Sequence, residues 1–268
     1  LWDFRDGSTS TLQNPAHVFT SAGNYPVILS VTDTDSDKCR DSVLVKAMLN
    51  NSIAGQLWDE TGLNQVTKAN LTLYLQDNIN DSTSATINGS NSYLFPGLPV
   101  ANYTVQAIPD IVFYYDLLPT YFGDKLVLFE ASWIQASGHV TGKDIRLVKK
   151  PLAGTGLGTI TGYMVYGSGK GLTITEKPSE IKGNPVTGAY VYLKSTTDGK
   201  LKAFCKTGSD GSFSFEKLGN GSYYFVADCQ GKPMDNTNTP LVISDSEQRL
   251  EILATVGTER ITVQNLTT

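Results

Sequence analysis

Residues 92–107 and 212–227 carry the same apolar pattern 120 positions apart, and two copies of one fold is the simplest account of it. Tyr93, Phe95, Leu98, Tyr103, Val105 and Ala107 match Phe213, Phe215, Leu218, Tyr223, Phe225 and Ala227. The same offset pairs Leu71 and Leu73 with Val191 and Leu193, and Val66 with Val186. Further upstream, Ile53-Ala54-Gly55 resembles Ile160-Thr161-Gly162 at an offset of 107. The 13 extra residues of the second copy fall in a Gly- and Ser-containing loop around 166–178, where an insertion costs little.

Each copy reads as all-β. Leu71, Leu73 and Leu75 alternate with Thr72 and Tyr74, the period of a half-buried strand. Phe213 and Phe215 alternate with serines in the same way, and Asp210-Gly211 and Asn220-Gly221 flank them with turn dipeptides. A hairpin over roughly 200–228 follows. Lys149 to Gly158 has no periodic run and is expected to be the linker, with a second boundary near 47–51. At 268 residues the chain suits two or three modules: 1–48, 49–150 and 151–268. A net charge of −5 argues against a nucleic-acid or anionic-membrane footprint, and no apolar run is long enough to span a bilayer.

Candidate chemistry is sparse. Three cysteines without CxxC spacing and two histidines make a zinc site a poor expectation. Cys205 and Cys229 lie in strands that could be neighbours, so the alternatives are a disulfide or two separate thiols; Cys39 has no internal partner in either case. Asp33, Asp35 and Asp37 open a D-x-D-x-D series. It fits either a calcium loop or a solvated acidic turn, and Lys38 and Leu44 stand where an EF-hand needs Gly and Glu. Tyr114, Tyr115, Tyr121, Phe122 and Trp133 are either a packing cluster or a platform for sugars, with Tyr121 and Trp133 as ligand-binding candidates. His17, within Pro-x-His-x-Phe, is expected to be structural, and His139 to lie in a turn. The glycines at 154–158 and Ser168-Gly169-Lys170-Gly171 fit neither a dinucleotide nor a phosphate loop.

The first 47 residues have a different grammar. Trp2-Asp3-Phe4-Arg5-Asp6-Gly7, Pro15-Ala16-His17-Val18-Phe19 and Gly23-Asn24-Tyr25-Pro26-Val27-Ile28-Leu29-Ser30-Val31-Thr32-Asp33 together resemble the C-terminal half of a PKD domain. The resemblance implies an immunoglobulin-like sandwich whose first strands are missing here. Arg5 stands where that family has Gly, at a cost of roughly 1 kcal/mol if the position needs a positive φ. Pro26 suggests an edge strand or a bulge. Tyr25, Val27, Leu29 and Val31 share one face and need cover, either from upstream strands or from another subunit. Arg260 to Leu266 alternates well enough to be a donor strand, or is the last strand of its own module.

The two repeats resemble carboxypeptidase-regulatory-like (transthyretin-like) sandwiches, most closely from Gly183-Asn184-Pro185-Val186 through Tyr223. Asn91 and Ser92 depart from the family's Asp-Gly in the first copy. Pro119-Thr120-Tyr121-Phe122-Gly123, Ala131-Ser132-Trp133-Ile134 and Gly231-Lys232-Pro233-Met234-Asp235 look like segments of large secreted Bacteroidetes proteins. That likeness implies type IX secretion and an extracellular or cell-surface location. The expected function is a non-catalytic stalk, spacer or surface fibre. The alternative is an accessory carbohydrate- or protein-binding region of a secreted degradative enzyme. No cofactor is expected beyond the calcium alternative. Expected partners are neighbouring modules, further copies in a filament, or surface glycans.

Overall fold

The computed structural model describes residues 1–47, 51–167, 183–229, 231–235 and 238–267. Most of the loop expected around 166–178, and residues 48–50 of the 47–51 boundary, lie outside this set. The fold is all-β, with one 3₁₀ turn at Leu128–Glu130 among the described residues. No described helix is long and apolar enough to cross a membrane. The chain divides into two compact units. One comprises Leu1–Ala54, Leu94–Ala101 and Gln135–Thr141; the other comprises Gly55–Tyr93, Asn102–Ile134 and Gly142–Thr268.

The chain opens with β1 (Trp2–Asp3), β2 (Thr9–Ser10), β3 (Gly23–Thr32) and β4 (Lys38–Ala47), in the sheet order β2-β1-β3-β4. Arg5 does sit at positive φ, 62°, and its backbone N–H donates to Asp3 Oδ1 at 2.9 Å. β3 lies between β1 and β4, yet at Pro26 it is a local edge, as proline requires. Pro26 is tolerated because β1 ends opposite Ile28, so Pro26 faces only Leu44 of β4. On the expected apolar face Val27 is buried, Tyr25 and Leu29 are half-buried, and Val31 is 53% exposed.

The first repeat contains β5 (Asn51–Asp59), β6 (Lys68–Leu75), β7 (Asn78–Asn88), β8 (Ser92–Leu98), β9 (Asn102–Pro109), β10 (Thr120–Tyr121), β11 (Ile134–Gln135), β12 (His139–Val140) and β13 (Ile145–Leu147). One sheet runs β10-β9-β6-β7, and β5 pairs with β8, β12 and β13. The second contains β14 (Gly158–Tyr166), β15 (Asn184–Pro185), β16 (Tyr190–Ser195), β17 (Leu201–Lys206), β18 (Ser212–Leu218), β19 (Gly221–Asp228), β20 (Leu241–Ile243), β21 (Arg249–Val256) and β22 (Ile261–Asn265). Its sheets run β15-β14-β21-β22, with β18 beside β14, and β17-β16-β19-β20. Between them lies a core that includes Ile160, Met164, Phe213, Phe215, Ile252 and Val256 from one sheet and Val191, Leu193, Phe225 and Ile243 from the other.

The repeat spacing is reproduced in the strand register. Leu71 faces Ala107 and Ala85, as Val191 faces Ala227 and Cys205. Leu73 faces Val105 and Thr83, as Leu193 faces Phe225 and Ala203. A slip of one residue would turn each set to the opposite face, so a shared register means a shared buried face.

Three open points of the sequence take a definite form in the structure. First, the 149–158 linker packs against both repeats: Lys149 pairs with Leu117, and the Gly156 N–H donates to the Lys217 carbonyl at 3.1 Å. A Cβ at Gly154 or Gly156 would collide with the carbonyls of Lys217 and Leu218, which explains the glycines there. Second, β22 is not a donor strand; it completes its own sheet by pairing with β21 over five residues. Third, Cys205 and Cys229 are both free thiols. Cys205 lies in β17 and Cys229 just beyond β19, with β16 between those strands. Two strand spacings of about 4.8 Å put them roughly 10 Å apart, beyond the roughly 4.4–6.8 Å Cα separation of a disulfide. Burial pushes the Cys205 thiol up to about 11 and raises Cys229 too, while Cys39 is exposed. A thiol reagent at pH 8 should therefore modify one cysteine per native chain and three after denaturation. A single reactive thiol in denatured, unreduced protein would restore the disulfide.

Candidate functional site

Asp228, the last residue of β19, is half-buried, and both of its oxygens accept hydrogen bonds from the first repeat. The Tyr121 hydroxyl donates to Oδ2 at 2.9 Å and the Leu128 backbone N–H to Oδ1 at 3.0 Å. Burial raises the Asp228 carboxyl above its ordinary value, despite both bonds. Burial also raises the Tyr121 hydroxyl, and the neighbouring Asp228 charge adds to the effect.

Each donor has a local reason to be where it is. β10 pairs with β9 through Thr120–Ala107 and Tyr121–Gln106, which holds the ring in place. The 3₁₀ turn at Leu128–Glu130 leaves the Leu128 N–H without a helical partner, and Asp228 supplies one. Around this contact Tyr121, Leu128 and Ala131 form a buried cluster flanked by Tyr74, Ile79 and Trp133. A second cluster joins Leu118, Leu126 and Val127 to Tyr192 and Val226. Gly231, at φ 64°, lies where a Cβ would meet Leu128 and Ile79 at 3.2 and 3.4 Å. Glu130 accepts two bonds from Lys194 Nζ, at 2.8 and 2.9 Å. Half-exposed pairs of this kind contribute about 1 kcal/mol or less.

Of the two ligand-binding candidates, Tyr121 is 4% exposed and packs within this cluster, while Trp133 is half-buried at its edge.

Beside the joint lies a cleft of about 730 Å³, lined from both repeats by Lys68, Lys150, Lys206, Asn70, Tyr190 and Phe204 among others. Aromatic rings position its lysines. Lys68 Nζ sits 3.5 Å from the Phe113 ring centre, Lys206 Nζ 4.4 Å from Tyr190 and Lys150 Nζ 5.5 Å from Phe204. Lys150 also donates to the Tyr115 carbonyl.

The remaining candidates resolve as structural. His17 Nε2 lies 2.7 Å from Asp6 Oδ2 and 3.4 Å from Ser8 Oγ, and the imidazole stacks on Phe4 at 4.0 Å. A nucleophile–base pair needs serine and carboxylate on opposite ring nitrogens. Here both approach one nitrogen, and Ser8 Oγ itself donates to Asp6 at 2.6 Å. The Ser8 and His17 bonds hold Asp6 down to about 2. His139 is exposed, in β12, with Nδ1 2.9 Å from Ser52 Oγ. At the calcium candidates Asp33, Asp35 and Asp37, all exposed, the chain turns. Asp33 Oδ1 accepts the N–H groups of Asp35 and Asp37 at 3.0 and 2.9 Å, closing the β3–β4 turn. Among the described residues no three His, Cys, Asp or Glu side chains gather to hold a metal ion.

Sequence reasoning did not find Asp228 or the lysines. Asp228 reads as an ordinary strand-end aspartate, and its partners lie 100 and 107 residues away. The one available signal was its place directly after the apolar run Tyr223–Ala227.

Comparison with known proteins gives limited likenesses. Among solved structures, the Bacillus anthracis TIE protein aligns over 91% of this chain and 44% of its own, at 14% identity and a TM-score of 0.27. GBS52, the minor pilin of Streptococcus agalactiae, aligns over 81% of this chain and 99% of its own, at 11% identity and a TM-score of 0.26. A microbial collagenase of Vibrio alginolyticus is 60% identical over 35 residues, which are 13% of this chain and 4% of that protein. Residues 1–47 match the PKD domain family model, and the family likeness of this chain rests on that segment.

Proposed function

We propose that this chain is an extracellular, non-catalytic structural or adhesive segment of a larger secreted protein. In this reading modules 1–48, 49–150 and 151–268 are a PKD-like and two carboxypeptidase-regulatory-like sandwiches. The observation that carries it is the buried joint, in which Asp228 is held by Tyr121 and Leu128 and flanked by two apolar clusters. Such a contact fixes one repeat against the next, as a spacer requires. The PKD match over residues 1–47 supports an extracellular setting. The finer reading, a Bacteroidetes-type cell-surface protein exported by type IX secretion, rests on the segments around Thr120–Tyr121, Trp133 and Gly231–Asp235. Its partners would be neighbouring modules, other copies in a fibre, and surface glycans.

A second reading, an accessory region of a secreted degradative enzyme, is favoured by the short likeness to the collagenase. A screen of the purified chain against protein and polysaccharide substrates tests the main reading. No turnover is expected, and hydrolysis abolished by one point substitution would overturn it.

A further inference from the structure

We propose that the cleft beside the joint binds an acidic polysaccharide, one carrying carboxylate or sulfate groups along its length. The chain has five more acidic than basic side chains, yet three lysines converge on this one cleft. Among the described residues none of the three has a carboxylate within ion-pair distance, although five other Lys and Arg side chains do. The cleft's own carboxylate, Asp110, is engaged by the Val112 N–H at 2.9 Å. Lysines held by aromatic rings instead of counter-charges leave the cleft positive, and walls of low dielectric concentrate that potential.

The rest of the lining selects the class of anion. Thr86 donates to Asn70 Oδ1 at 3.0 Å, leaving the Asn70 amide NH₂ as a donor beside the lysines. Neutral amides next to ammonium groups suit a ligand rich in hydroxyls as well as charge. Of its apolar lining, Leu117 and Leu118 are 7% and 1% exposed while Ile108 and Ile111 are 38% and 69% exposed, a broad open surface in place of a deep socket. A peptide ligand would need such a socket for an anchoring side chain, whereas the flat face of a sugar ring needs only the surface. The volume lies within the range of ligand sites, about 300–1,000 Å³.

This inference deepens the adhesive half of the proposed function and rests on it; failure here leaves the spacer reading, tested by the substrate screen, in place. The experiment titrates the full chain with an oligogalacturonate, a sulfated heparin oligosaccharide, a neutral galactan oligomer and oligoglutamate. At least one acidic sugar should bind, with chemical-shift changes at Lys68, Asn70, Lys150 and Lys206. The double substitution Lys68→Gln/Lys206→Gln should weaken that binding by about tenfold or more with an unchanged melting curve. Preference for the carboxylated or the sulfated ligand identifies the source of the anion. The proposal is overturned if neither acidic sugar binds, if the neutral galactan binds as well, if oligoglutamate binds equally, or if the double variant binds normally.

Discussion

Replacing Asp228 with alanine should lower the free energy of unfolding by about 2–6 kcal/mol, because it strands two buried donors at once. The Tyr121 hydroxyl and the Leu128 N–H both lose their acceptor, and each stranded donor costs about 1–3 kcal/mol. Denaturant unfolding measures the loss; a change under 1 kcal/mol would mean that water replaces Asp228 freely. The carboxyl also gives this joint a pH dependence. Its folded value is raised above the ordinary 3.8, so between the two values the native state binds the extra proton. That contribution is fully present below 3.8 and is lost as pH rises through the folded value. The stability of the wild type relative to Asp228→Asn should therefore decline as pH rises above 4. A flat or rising difference would show that the two hydrogen bonds outweigh burial.

Alanine at Gly162 should cost about 3 kcal/mol, by overpacking the centre of a sheet. A Cβ there would lie 2.2 Å from the Ile252 carbonyl oxygen and 2.8 Å from the Phe213 ring. Gly55, its counterpart in the first repeat, meets the Lys143 carbonyl at 2.2 Å and the Tyr93 hydroxyl at 2.9 Å, so Gly55→Ala should be similarly damaging. Gly219 has open space around it, and Gly219→Ala should stay within about 0.5 kcal/mol. Equal melting temperatures for Gly162→Ala and Gly219→Ala would contradict the close approach.

These two glycines also show what the sequence made legible. Ile53-Ala54-Gly55 and Ile160-Thr161-Gly162 were matched by pattern alone, and the structure gives the match a cause: each glycine faces a carbonyl and an aromatic ring at matched repeat positions. The alternation of Leu71 with Leu73 and of Phe213 with Phe215 likewise reported burial, because a strand with one buried face imposes that period. Local turn chemistry was legible too, as at Arg5, where the chain keeps a positive φ without glycine.

What the sequence did not reveal depends on contacts across long separations. Asp210 is marked as a turn aspartate by Gly211 and is held low by Ser212, but at Asp228 only the preceding apolar run hints at burial. The difference arises only when Tyr121 and Leu128 close over it. The glycines at 154 and 156 looked like linker because their constraint, the Lys217 and Leu218 carbonyls, lies about 60 residues further on. Cys205 and Cys229 looked pairable because the order of strands in the sheet is not written in their spacing.

The central claim is that the joint makes the two repeats one mechanical body. Residual dipolar couplings measured separately for the sheet of β6, β7, β9 and β10 and the sheet of β16, β17, β19 and β20 test it most directly. A single alignment tensor that fits both sheets, and splits into two in Asp228→Ala, is the predicted result. Two different tensors in the wild-type chain would show that the repeats move independently, and would contradict it.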